Sequence, residues 1–143
     1  MNYDFWGVGV PVIEWDESLS VGDEEMDRHH RRLLEMLCRL HAVMRTVDAN
    51  TAVGQVLADL LAYTEFHFDE EEKCMRRVGF PRLEAHRESH AALTGAVLSM
   101  KADYDQEPGS LLAEELFEFL SDWLLRHIKA EDMAYKPYML KAN

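Results

Sequence analysis

Four apolar stripes with helical period run through this chain, and each carries imidazole or carboxylate groups in line with its leucines. Residues three and four apart share one helix face. The first stripe is Leu33, Leu37, Leu40, Met44 and Val47, and one turn earlier it reaches His30. The second is Val53, Leu57, Leu60, Thr64, His67, Glu71 and Met75. The third is Leu83, His86, His90, Leu93, Val97, Met100 and Tyr104, and the fourth is Leu112, Leu116, Leu120, Trp123 and His127. An unpaired imidazole or carboxylate on a core-facing stripe destabilises a fold by roughly several kcal/mol. The pattern therefore favours a fold in which these groups meet and are jointly satisfied.

Strand patterning is nearly absent. Helices are predicted from Gly22–Asp23 to about Val47, from about Ala52 to Val78, from Pro81 to the EPGS break, and from Ser110 onward. Asn50 or Thr51 is the expected cap of the second helix, Gly79 its stop, and Ser110 the cap of the fourth. Short loops make neighbouring helices antiparallel. The predicted fold is all-α, an antiparallel up-down-up-down four-helix bundle over residues 21–143. Residues 1–20 read as an irregular N-terminal arm whose Trp6, Pro11 and Trp15 pack it across the helices.

A length of 143 residues fits one domain, and an apolar content of 48% suffices for a core. No segment reaches the roughly 18 consecutive apolar residues of a membrane span. The N-terminus lacks the basic and apolar regions of a signal peptide, so the expected location is the cytoplasm. A net charge of −12 argues against nucleic acid or an anionic membrane as partner. Cys38 and Cys74 are too few and too far apart for a disulfide framework and read as reduced bystanders. The chain is expected to be a monomer, with a protein partner left open.

Height along the bundle brings the ionisable groups together. His30 lies early in the first helix, His67 and Glu71 late in the second, His86 and His90 early in the third, and His127 late in the fourth. In an antiparallel bundle all four sets fall at one end. Asp132 follows His127 by five residues, about 140° around an ideal helix. It joins the group only if the turn widens or the helix ends there. Imidazole with carboxylate suits iron, zinc or copper. Five His and two carboxylates exceed the needs of one tetrahedral zinc and fit two metals bridged by two carboxylates. A lone inward His is more often a satisfied core residue, and a single His pair is weak evidence. The agreement of four clusters in face and height carries the metal reading. His29, about 100° from His30, is expected to be exposed, and His41 to be structural. Glu70 and Glu72 are expected to be solvated.

The stretches WDESLSVGDEEMDRHH, YTEFHFDEEEKCM, FPRLEAHRESH and WLLRHIKAEDMAY, with KPY following, resemble the hemerythrin family, and the bacterial single-domain type in particular. The resemblance runs from Ile13 to Tyr138. It implies a four-helix bundle around a non-haem di-iron centre (Fe2+/Fe3+) that binds O2 reversibly. His86, His90 and His127 would hold one iron, and His30 and His67 the other. Glu71 and Asp132 would bridge both, together with a hydroxide or oxide. Phe68, Leu93, Trp123, Leu124 and Ile128 would line or border the O2 pocket. Two positions depart from the family: His29 stands where Gln is common, and Leu93 where Phe is common.

Four functions compete. The first is an O2-binding protein for storage, delivery or buffering. The second is an O2 or redox sensor acting through a partner protein. The third is a di-iron enzyme of peroxidase, nitric-oxide-handling or ferroxidase type. The fourth is a bundle holding zinc or no metal. Ferroxidase sites in ferritin-like bundles are rich in carboxylates and poor in His, the reverse of this set, which argues for binding over turnover.

Overall fold

The computed structural model describes residues 14–142 with their side chains, together with the backbone of Asn2–Tyr3 and Pro11–Val12, which pair as two short antiparallel strands. Trp6 lies outside the described residues. A 3-10 turn at Glu17–Leu19 leads into α1 (Glu24–Val43). Then follow α2 (Ala49–Arg77), α3 (Leu83–Gln106) and α4 (Ala113–Arg126). The chain continues from α4 without a break through a π-helical turn at His127–Asp132 and a 3-10 turn at Met133–Tyr135 into α5 (Lys136–Ala142). The first four helices form the predicted four-helix bundle, with α1 packed on α2 and α4, and α2 on α3. None of the described helices is long and apolar enough to cross a membrane.

Local chemistry sets the helix ends. The Asp23 carboxylate accepts from the Met26 amide at 3.1 Å and caps α1. Gly79 ends α2 with φ +73°, and the Phe80 amide closes back on the Met75 carbonyl at 2.9 Å. Pro137 stands in the first turn of α5, where a missing N–H costs nothing. Several expected boundaries differ, and α3 begins at Leu83 rather than at Pro81. The first helix stops at Val43, and Val47 is fully exposed, because the segment after Met44 turns away to begin α2. Asn50 and Thr51 lie inside α2, which starts earlier, at Ala49. Ser110 does not cap α4; its hydroxyl donates to the Asp103 carbonyl at 3.3 Å and closes α3 instead.

Two apolar clusters divide the bundle. The larger runs between α1, α2, α3 and α4 and is built mainly of leucines. The smaller covers one end and contains Val21, Met26, Met75, Phe80, Tyr135 and Met139. The ionisable groups lie between the two, so apolar packing seals them on both sides. Trp15 packs against the larger cluster, and the Arg31 guanidinium sits 4.5 Å above its ring.

Candidate metal centre

All seven candidate ligands are buried; Glu71, Asp132 and His30 have no measurable exposure. Each comes from the helix and height expected of it. Asp132 reaches the group because the chain widens at His127–Asp132 rather than fraying. An i→i+5 turn returns the fifth residue close above the first, which an α-helix does not.

Glu71 divides its two oxygens between two sets of imidazoles. Its Oε1 faces His86 Nε2 at 3.1 Å and His90 Nε2 at 3.0 Å. Its Oε2 faces His30 Nε2 at 3.3 Å and His67 Nε2 at 3.5 Å. Asp132 divides in the same way. Its Oδ1 lies 2.9 Å from His86 Nε2 and 3.0 Å from His127 Nε2, and its Oδ2 lies 3.1 Å from His30 Nε2. One side of the carboxylate pair thus holds three His, and the other holds two.

Of these approaches only those of His30 and His86 to Glu71 are aligned as hydrogen bonds. His90 Nε2, His127 Nε2 and both Asp132 oxygens are buried with no hydrogen-bond partner, although nitrogen and oxygen lie about 3 Å apart. Their lone pairs converge on shared space instead of on each other. Buried polar atoms are otherwise almost always satisfied. Coordinated cations would satisfy all of them together, and the mixed imidazole and carboxylate set fits a transition metal. Two groups have the required geometry: Glu71, His86, His90, His127 and Asp132 form one, and His30, His67 and Glu71 the other.

Electrostatics follow from burial and the two carboxylates. Burial lowers the pKa of His30 and His86, but Asp132 and Glu71 more than offset this and hold both at about 10. His127 is likewise raised, with Asp132 outweighing burial. For His67 burial dominates, and its pKa falls to about 3. Burial opposes ionisation of Glu71 and Asp132, but the surrounding His bring both below the ordinary carboxylate range.

A further layer orients the rings. His90 Nδ1–H donates to Glu72 Oε2 at 2.9 Å, and His127 Nδ1–H to Glu131 Oε2 at 3.0 Å. Ser89 supports that carboxylate with a hydroxyl donation of 2.9 Å. Such outer contacts fix the tautomer and leave Nε2 free to ligate. Glu72, expected to be solvated, is mostly covered because it lies between His90 and Arg87, whose Nε is 3.3 Å from its other oxygen. His29, expected to be exposed, is buried, with its Nδ1 2.9 Å from His67 Nδ1. The helix there is covered on more than one side, so its buried arc is wider than a single stripe. His41 packs on Phe117 with ring centroids 5.1 Å apart.

An apolar cavity of about 20 Å³ lies one helical turn from the centre. Each of the four helices supplies a wall residue three positions from a candidate ligand: Leu33, Thr64, Leu93 and Leu124. Phe68 stacks on His90 with centroids 3.8 Å apart, and Trp123 on His127 at 4.4 Å, so both rings wall the cavity and shield an imidazole. Ile128 is fully buried in the core but does not line this cavity.

The profile of the hemerythrin HHE cation binding domain matches residues 21–139. The chain belongs to the hemerythrin family. It is 35% identical over 126 residues to a bacteriohemerythrin of Stenotrophomonas maltophilia, covering 88% of this chain and 80% of that one. It is 31% identical to a hemerythrin-like protein of Naegleria gruberi, covering 87% and 91%. Its fold superposes on a crystal structure of wild-type hemerythrin with a TM-score of 0.81, at 24% identity over 91% of this chain and 99% of that one. Within this hemerythrin-family bundle, the buried His, Glu and Asp cluster fits a metal site.

Proposed function

We propose that this chain binds O2 reversibly at two iron ions held by His30, His67, Glu71, His86, His90, His127 and Asp132. The observation that carries the reading is the division of oxygens: Glu71 and Asp132 each turn one oxygen to the three-His side and the other to the two-His side. Two metals held by these residues would differ by one imidazole, and the one with fewer would have a position left for a small ligand. When bound, the ferrous pair supplies two electrons to O2 and takes them back on its release.

The chain's own residues make such binding reversible. Tyr135 donates to Glu71 Oε2 at 2.7 Å and holds that carboxylate in its bridging pose. Phe68, Trp123, Leu93 and Leu124 keep water from the imidazoles, and Thr64 is the one hydroxyl among the cavity-lining residues. Exclusion of water and protons opposes loss of bound O2 as a reduced product. A cavity of about 20 Å³ has room for a molecule of about the size of water or O2. These features favour binding over turnover.

The test is a cycle of O2 uptake. Protein loaded with ferrous iron in the absence of air should turn from colourless to coloured on admission of O2 and bleach when O2 is removed, over several cycles. Colour that never bleaches, or continuous O2 consumption, would replace this reading with an oxidase or peroxidase.

A further inference from the structure

Three outward-facing imidazole nitrogens of the candidate ligands have side-chain partners, and one partner differs in kind. His90 and His127 each meet a carboxylate, Glu72 and Glu131. His67 meets another imidazole, that of His29, with the two Nδ1 atoms 2.9 Å apart. At that distance one nitrogen carries the proton and the other offers its lone pair, because two N–H groups cannot face each other. A ligating His67 Nε2 must present a lone pair to the metal, so its proton lies on Nδ1. His29 Nδ1 is then the acceptor, and its own proton lies on Nε2. That nitrogen faces Glu25, whose Oε1 is 3.8 Å away. Packing holds the His29 ring in place: Phe66 and Tyr63 lie 5.1 and 5.9 Å from it by ring centroid.

We propose that His29 is a positioning residue for His67, fixing the tautomer and orientation of the ring on the two-His side. The inference rests on the reading of His67 as a metal ligand. It also gives the two metal positions different character. A carboxylate acceptor makes a ligating imidazole more basic than a neutral acceptor does. Two of the three imidazoles on one side have carboxylate acceptors, whereas His67 has an imidazole. The two-His side is therefore the more weakly donating of the two, in partner as well as in ligand count.

The experiment compares full-length wild-type protein with His29→Gln, His29→Leu and His29→Glu, using Co2+ and Zn2+ as probes. Stepwise Co2+ binding, followed by calorimetry and visible absorption, should show two events. In His29→Leu one event should weaken about ten- to hundredfold and the other should hold. His29→Gln, whose amide oxygen accepts in the same place, should restore it, and His29→Glu should tighten it beyond Gln. In Zn2+-loaded, 15N-labelled wild type, a scalar coupling across the hydrogen bond should link the Nδ1 atoms of His67 and His29. A folded His29→Leu that binds both ions as the wild type does, or loses both equally, overturns the proposal, and so does absence of that coupling. If the Leu variant does not fold, equal affinity of the Gln and Glu variants overturns it instead. Wild-type protein that takes up no metal overturns the functional reading and this inference with it. Two metals bound with no selective effect of His29 overturn this inference alone.

Discussion

Tyr135 Oη donates a 2.7 Å hydrogen bond to Glu71 Oε2, and neither residue has measurable exposure. Tyr135 follows Asp132 by three residues, so one short segment supplies one carboxylate and orients the other. Burial, reinforced by the Glu71 and Asp132 charges, raises the Tyr135 pKa well above its ordinary value and keeps the hydroxyl a donor. Tyr135→Phe removes one bond to a charged acceptor and little volume. Metal-free stability should fall by about 1.5–3 kcal/mol, with unchanged helicity, in urea titrations read by circular dichroism. A loss below about 0.5 kcal/mol would mean that the hydroxyl does not hold Glu71.

Stability of the metal-free protein should depend on pH with a maximum near 6.5. His30 and His86 have folded pKa values of about 10, above the unfolded 6.5. Their contribution is complete below pH 6.5 and is lost as pH rises toward 10. His67 acts with the opposite sign. Its folded value of about 3 means that only the unfolded chain takes up its proton, so stability falls as pH drops below 6.5. Glu71 and Asp132, with lowered values, add losses at still lower pH. Urea midpoints at pH 4.5, 6.5 and 9 should be highest at 6.5, and a flat profile from 6.5 to 9 would contradict the His30 and His86 pairing.

Metal loading should remove the alkaline decline. Ligating imidazoles are neutral, so binding near pH 7 expels the protons held by His30 and His86. Calorimetry of Zn2+ binding in buffers of different ionisation enthalpy should report proton release, and affinity should rise with pH. Uptake with no proton release would place the metal elsewhere.

Leu124 lines the apolar cavity and precedes His127 by one turn. Leu124→Ala enlarges that cavity without touching a candidate ligand. Thermal or urea unfolding should show a loss of about 2–5 kcal/mol. Metal content should be unchanged, while the rate of O2 release or of oxidation to the inert ferric form should change. If neither rate moves, the O2 site is not next to Leu124.

Spacing and chain order alone place six of the seven candidate ligands at one end of an antiparallel bundle, because helix periodicity fixes the face and short loops fix the height. The route of Asp132 was open between a widened turn and a frayed end. Spacing reports only an angle, and the structure takes the wider turn. The outer layer was not legible. His29 and Glu72 adjoin candidate ligands, and an ideal wheel turns each about 100° away. They are covered because neighbouring helices flank the ligand stripe on both sides. A dense run of ionisable residues beside each stripe was the available signal. Helix starts were missed at Ala49 and Ala113 because neither helix uses a side-chain cap.

Two bridged irons are tested most directly by a crystal structure of the iron-loaded protein with anomalous diffraction at the iron edge. Two iron peaks per chain are expected. Oε1 of Glu71 and Oδ1 of Asp132 should lie on the iron held by His86, His90 and His127, and Oε2 and Oδ2 on the iron held by His30 and His67. A single peak, or two peaks not bridged by Glu71 and Asp132, would contradict that arrangement.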